Sequence, residues 1–488
     1  MIDPSFKPSK LVKKAPHKAP DPLEISLQDS YSLCQPQLKP PFPLTIPSPA
    51  EYSKLNLAIA YGILTDPHHS KYHLTHLHSI VIDGYDLFAT TLLSLSTRSY
   101  PELLDSPRSQ LLYATNKLVQ VSANKVDALL ITLLRQIISG NVSETNLWLC
   151  SKLLEILMSN WDCLVDEYPM VVTSALFVFL RLLSDHYRLH GAMGFEQLKQ
   201  MEIRYCIRVL KDCFSLCLQI GRDLVRLLQD LVHIPEFQEI WKGLLDNIVQ
   251  LYQIRTPSRY FLLRISPEME AQLRFLLTRV KFGSQKRYQA WFAKKHLCWP
   301  GSDTAIIDIV RFICCAHHPS NEIIQSDVIS RWAVVGWFLK SCRKHYVEAN
   351  VKLALFYDWL FFDEKVDNVM NIEPAMLLMI HSLPNYSEIT HTLLEFLFLL
   401  LENYDVHRKE VIQRGVLAAF SVLVRKGVVP SLEPLTSSRM LAPDLRERLN
   451  ALISSLNLGV NVNAPAASCG QQMEVDDGLC HTELTNCS

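Results

Sequence analysis

Residues 221–232 read GRDLVRLLQDLV, and this short stretch decides the fold class. Leu224, Val225, Leu227, Leu228, Leu231 and Val232 recur at the i, i+1, i+3, i+4, i+7 spacing of one helical face. The charged and polar residues Arg222, Asp223, Arg226, Gln229 and Asp230 fall on the other face. Pro235 breaks the pattern, and Phe237, Ile240, Trp241, Leu244, Leu245 and Ile248 start a second stripe. The reading is a helix, a tight turn and another helix.

The pattern extends outward in both directions. Ser266-Pro267-Glu268 carries a helix start: a capping hydroxyl, a proline suited to the first helical position, and a carboxylate facing the positive dipole end. Met269, Leu273, Leu276, Leu277 and Val280 follow as its stripe. Comparable stripes lie in 147–157, 171–183, 306–314, 328–339, 351–361 and 393–401. Alternating strand patterns with hairpin turns are missing, apart from one Asp83-Gly84 inside a helix-like window. Glycine is scarce, 15 of 488 residues, and phosphate loops and tight strand turns consume glycine. With 49% hydrophobic residues a continuous core is within reach. The expectation is an all-α protein, a HEAT-like or irregular helical-repeat solenoid of two-helix units over residues 50–456.

The ends differ in composition. Residues 1–49 hold eleven of the 26 prolines and predict a disordered or extended lead. Its Lys10, Lys13, Lys14 and Lys18 suit a solvated basic linker or a nuclear import signal. Residues 457–488 are poor in aromatics, carry Glu474, Asp476 and Asp477, and predict a disordered polar tail. The N-terminal MIDPSFKPSKLVKK lacks an apolar signal-peptide core, and the uncharged run 169–180 is too short to span a bilayer. These features predict a soluble intracellular chain with no membrane partner. Thirteen cysteines without a C-x-x-C pair read as free, mostly buried thiols.

Catalytic motifs are absent: the sequence contains neither phosphate-loop pattern, no H-E-x-x-H and no G-x-S-x-G. A net charge of -1 excludes a global basic field, though not a local patch. In DPHHSKYHLTHLH (66–78), His69, His73 and His76 would share a helix face at metal-ligand spacing. No cysteine or glutamate completes that set and Lys71 intrudes, so exposed polar positions at a helix start are the expectation. The segment NVKLALFYDWLFF (350–362) predicts a core helix, with Lys352 and Asp358 off its apolar face.

RVKFGSQKRYQAWFAKKH (279–296) is the remaining candidate. Arg279, Lys281, Lys286, Arg287, Lys294 and Lys295 alternate with Phe282, Tyr288, Trp291 and Phe292, the ingredients for contacting phosphates and stacking bases. On a helix beginning near Ser284, Tyr288, Trp291 and Phe292 would instead form a core stripe with the cations in water. An acidic protein partner would suit the same basic face. No residue is assigned a catalytic, cofactor or metal role.

Several of these blocks carry a resemblance. YGILTDPHH (61–69), NLWLCSKLLEIL (146–157), GRDLVRLLQ (221–229), FLLTRVKFGSQKRYQAWF (275–292), HPSNEIIQSDVISRWAVVGWFL (318–339), KLALFYDWLFF (352–362) and MNIEPAMLLMIHS (370–382) resemble, in order, the N-terminal region of the Integrator complex subunit 3 family. That family also supplies one component of the sensor of single-stranded DNA complex. The resemblance implies a nuclear, helical-repeat scaffold without catalytic residues, with some presence in the cytoplasm compatible. Its implied partners are an OB-fold single-stranded-DNA-binding protein, other Integrator subunits and a small third subunit, with nucleic acid reached mainly through them. Its implied roles are the DNA damage response, DNA repair and small nuclear RNA 3′-end processing. Family members are typically about twice as long, with a second helical domain, and the proline-rich lead has no counterpart in the resemblance.

Overall fold

A computed structural model describes residues 9–13, 21–39, 47–188, 193–245 and 248–457. Among these residues the chain is all-α. Its only β-pairings there are two isolated antiparallel bridges, Val12 with Leu103 and Lys281 with Val328. The helices run α1 (Pro22–Cys34), α2 (Pro49–Thr65), α3 (Ser70–Ile80), α4 (Asp86–Arg98), α5 (Asp105–Gln120), α6 (Val126–Leu134), α7 (Glu144–Ser159), α8 (Trp161–Glu167), α9 (Pro169–Tyr187), α10 (Met193–Asp212), α11 (Phe214–Cys217) and α12 (Arg222–Gln229). The second half adds α13 (Pro235–Leu245), α14 (Ile248–Gln253), α15 (Ser258–Leu262), α16 (Pro267–Arg279), α17 (Gln285–His296), α18 (Ala305–Cys315), α19 (Asn321–Ile324) and α20 (Arg331–Lys340). It closes with α21 (His345–Leu360), α22 (Val369–Ser382), α23 (Ser387–Asn403), α24 (Lys409–Arg425), α25 (Glu433–Thr436) and α26 (Pro443–Asn457).

Packing begins with neighbours. Helix α2 lies against α1, α3 and α5, α9 against α10, and α22 against α21, α23 and α24, giving a solenoid-like array. The array is irregular because helices far apart in sequence also meet. Helix α18 packs on α15, α20, α21 and α22, and α12 packs on α9. The apolar stripes fall where the periodicity puts them: Leu224, Val225, Leu227 and Leu228 on α12, and Leu273, Leu276 and Leu277 on α16, are buried. The Ser266 hydroxyl accepts from the Met269 amide at 3.2 Å with Pro267 in the first turn, as the sequence predicts.

Among its described residues the proline-rich lead contains a helix, α1. Asp21 caps α1, its side chain accepting from the Leu23 amide at 2.8 Å, with Pro22 at the first helical position. Leu27 of α1 and Leu11 are fully buried, so apolar side chains spaced between the prolines find a surface to cover. Prolines excluded from helix interiors here serve as helix starts. The predicted disordered tail lies outside the described residues from 458 onward.

Helix α9 runs to Tyr187, past the uncharged run, and is long and apolar enough by length and composition to cross a membrane. Most of it, 89% of the apolar window, is buried inside the array. Arg181 on this helix pairs with Asp185 at 2.8 Å and with Asp308 of α18 at 3.2 Å.

The charged face of α12 is interior as well. Arg222, Asp223 and Arg226 are buried, not solvated, and so is Asp358 of α21. Arg222 donates to Asp367 at 3.0 Å and lies 3.5 Å from Asp358. Asp223 accepts from Arg226 at 2.8 Å and from Arg311 of α18 at 2.7 Å, and Arg311 donates to Asp358 at 2.8 Å. Three guanidiniums thus face three carboxylates in a closed, charge-balanced lattice tying α12, α18 and α21. Burial alone would raise the Asp358 carboxyl, but Arg311 and Arg222 outweigh it and hold it below the usual carboxylate range. Lys352 is also largely covered, paired with Glu348 at 2.7 Å one turn earlier on α21.

Candidate partner and nucleic-acid interface

The basic-aromatic segment forms the turn and second arm of a helical hairpin, α16–α17. At the turn, the Phe282 amide donates to the Asp327 carbonyl at 2.7 Å and the Ile329 amide to the Val280 carbonyl at 2.9 Å. This short pairing fixes where α16 ends and α17 can begin after Ser284. Helix α17 then buries Phe292 and His296. The Phe292 ring meets Trp337 and Phe338 edge-on, with centroids 6.1 and 5.8 Å away. His296 Nε2 lies 2.5 Å from Gln272 Oε1, and burial pushes its imidazole down to about 4. The Tyr288 hydroxyl donates to the Gln272 carbonyl at 2.9 Å, closing the hairpin.

All six sequence-predicted cations are exposed. Arg279 ends α16, Lys281 stands in the turn, Lys286 and Arg287 open α17, and Lys294 and Lys295 close it. Lys281 pairs with Asp327 at 2.7 Å, a hydrogen bond that holds its ammonium above the usual lysine value. Lys295 pairs with Glu268. Among the described residues, no carboxylate pairs with Arg279, Lys286, Arg287 or Lys294. Four cations therefore face water without a counter-charge.

The predicted core stripe of Tyr288, Trp291 and Phe292 splits. Phe292 is buried, Tyr288 half-buried, and Trp291 is 44% exposed. Trp291 sits about 100° around the helix from Phe292, off the arc that faces Phe338. It joins Tyr288, at 5.2 Å between centroids, and Tyr288 in turn joins Phe275 of α16 at 5.4 Å. Phe275 is 50% and Phe282 60% exposed. Phe275 was legible in the sequence as an aromatic off the Met269-Leu273-Leu276 stripe. Lys295 stands 5.5 Å from the Trp291 ring centroid, a cation–π contact. An exposed ladder of three aromatics beside unpaired cations can stack on flat rings, grip phosphates, or seat an acidic peptide with apolar anchors.

The histidine segment does not assemble a site. His69 precedes α3, exposed, and pairs with Asp66 at 2.9 Å. His73 and His76 are buried, against the expectation that they would be exposed polar positions. They share the inward face with Leu74, Leu77 and Ile80, and burial lowers the pKa of both. Imidazoles are apolar enough, when neutral, to complete that stripe. Among the described residues no three His, Cys, Asp or Glu side chains converge on one point.

Comparison with known proteins matches residues 50–451 to the family described as Integrator complex subunit 3 N-terminal. The chain is 36% identical to Integrator complex subunit 3 of Mus musculus over 411 residues, covering 82% of this chain and 39% of that protein. The Homo sapiens protein of the same name is 36% identical over 410 residues, with the same coverage. The Integrator complex subunit 3 homolog of Dictyostelium discoideum is 39% identical over 380 residues, covering 75% of this chain and 25% of its own. The chain thus spans well under half the length of these relatives.

Proposed function

The chain belongs to the Integrator complex subunit 3 family, and we propose that it is a non-catalytic scaffold subunit of the Integrator and of a single-stranded-DNA sensor complex. In this reading it works in the nucleus and holds an OB-fold single-stranded-DNA-binding protein, other Integrator subunits and a small third subunit. It serves the DNA damage response and small nuclear RNA 3′-end processing through them. One observation carries the reading: the family match runs along the helical array from α2 into α26, whose wide surfaces suit simultaneous partners.

The test is a pull-down with the full chain and an OB-fold single-stranded-DNA-binding protein, at low and high salt, with and without labelled oligonucleotide. Retention of the protein, with oligonucleotide arriving only through it, is the expected result. Failure to retain it, or any Integrator subunit, would sink the proposal.

A second reading, direct nucleic-acid contact, is favoured by the Phe275–Tyr288–Trp291 ladder beside Arg279, Lys286, Arg287 and Lys294. It requires that oligonucleotide bind the chain alone and wash off steeply with salt.

A further inference from the structure

The outer face of the α16–α17 hairpin is short of anions. Lys281 and Lys295 have carboxylates, Asp327 and Glu268, but Arg279, Lys286, Arg287 and Lys294 have none among the described residues. Arg287, Trp291 and Lys294 recur at i, i+4 and i+7 along α17, so two of these cations flank an exposed ring on one stripe. Surface cations elsewhere are answered within the array: Lys125 by Asp86, Arg425 by Glu364 and Arg448 by Glu402.

The sequence beyond α26 has the opposite bias. Residues 458–488 carry four carboxylates, Glu474, Asp476, Asp477 and Glu483, and neither lysine nor arginine. All 48 cations of the chain therefore stand in the rest, against the other 45 of its 49 acidic residues. In MEVDDGL (473–479) the acids alternate with Met473, Val475 and Leu479. One short segment thus offers carboxylates for guanidinium and ammonium groups and apolar side chains, a thioether among them, for exposed rings.

The two are within covalent reach. Helix α26 lies along α23: the Ala442 amide donates to His391 near the start of α23, and Arg448 pairs with Glu402 near its end. Lys340 of α20 stands 3.7 Å from the ring of Tyr386, which precedes α23, and Phe338 of α20 meets Phe292 of α17. From Asn457 the way back is the length of α26, 15 residues or about 22 Å, and then three helix spacings of about 8–10 Å. That comes to about 50 Å, and the 17 residues from 458 to 474 can span about 56–61 Å. Tethering also makes the encounter intramolecular, so modest contacts suffice.

We infer that residues 473–483 seat on the outer face of α16–α17 of the same chain. Their carboxylates answer Arg279, Lys286, Arg287 and Lys294, and their apolar side chains cover the Phe275–Tyr288–Trp291 rings. Seated there, the segment competes for the face that direct nucleic-acid contact would use, but the inference does not rest on that reading.

Zero-length carbodiimide cross-linking of the dilute full chain, mapped by mass spectrometry, tests it. The reagent joins a lysine to a carboxylate it touches, so Lys281–Asp327 and Lys295–Glu268 report a folded hairpin. Lys286 and Lys294 should join Glu474, Asp476, Asp477 or Glu483 at several times the yield of other exposed lysines. Raising salt to about 1 M, where screening acts within about 3 Å, should lower that yield several-fold relative to the two standards. Arg287→Glu on the hairpin, and Asp476→Asn with Asp477→Asn on the segment, should each do the same. In a mixture of chains of natural and heavy-nitrogen isotope content, the cross-links should join peptides of one isotope only. Mixed pairs would make a second copy the occupant and overturn the inference. Standards without segment cross-links at Lys286 or Lys294, or cross-links indifferent to salt and to these substitutions, would overturn it too, leaving the face to nucleic acid or a partner protein.

Discussion

Arg311 of α18 and Asp358 of α21 meet at 2.8 Å between Nη1 and Oδ2, both within a few per cent of complete burial. Each also has a second partner: Arg311 reaches Asp223 at 2.7 Å, and Asp358 accepts from the Cys315 thiol at 3.1 Å. A single substitution therefore strands charges on several helices. Arg311→Leu should cost about 3–5 kcal/mol, measured by urea unfolding. Replacing Arg311 with Met and Asp358 with Leu together should cost less than the sum of the two single changes, since the double variant strands less charge. Additive losses would mean the two residues act independently.

Helix α24 approaches α21 through Gly415. A Cβ there would lie 2.5 Å from the Leu360 carbonyl oxygen, backbone that cannot step aside. Gly415→Ala should lower stability by about 1–3 kcal/mol despite the better helix propensity of alanine. A neutral or stabilising result in thermal unfolding would show that the two helices can separate freely.

Buried histidines set a pH dependence, and His296 and His317 carry its largest shifts. Burial pushes His296 and His317 from the ordinary 6.5 to about 4, with Arg274 and Arg331 adding to the effect at His317. In the unfolded chain both protonate near 6.5, so stability is complete above that value and falls as pH drops from 6.5 toward 4. At pH 5 each should have lost about 2 kcal/mol relative to pH 7.5. The depressed Asp358 acts only below the ordinary carboxylate range, so it does not mask this window. Both His317 ring nitrogens lack partners, so His317→Leu should flatten the profile. An unchanged slope in unfolding experiments between pH 7.5 and 5 would refute that assignment.

The exposed ladder should be silent in stability and audible in binding. Arg287→Glu and Lys294→Glu ought to shift unfolding by no more than about 0.5 kcal/mol, and Trp291→Ala, which also loses the Tyr288 ring contact, by about 1 kcal/mol. If oligonucleotide contacts this face directly, each charge reversal should reduce the slope of log affinity against log salt by about 1 or more. If the face holds a protein instead, the same changes should release that partner and leave no direct oligonucleotide binding to alter. Variants that change neither would remove this surface from consideration.

Much of this architecture was legible in order of appearance. The α12 stripe, the Ser266-Pro267 start and the proline-interrupted turn at Pro235 are local patterns, written within one or two helical turns. The six cations of the hairpin were legible too, because long charged side chains almost always find water. Trp291 was not, since the choice between core and surface at the edge of a stripe depends on how far the neighbouring helix reaches.

By itself the sequence determined that this protein is a helical array with one basic, aromatic segment, because helix periodicity, caps and charge are properties of neighbouring residues. Only the tertiary structure decided that the charged face of α12 is interior and that His73 and His76 complete a core. A charge on a helix reads as solvent-facing until another element, here from 47 to 136 residues away, brings the opposite charge into contact. That compensation is long-range, and it makes burial of Arg222, Arg311 and Asp358 tolerable.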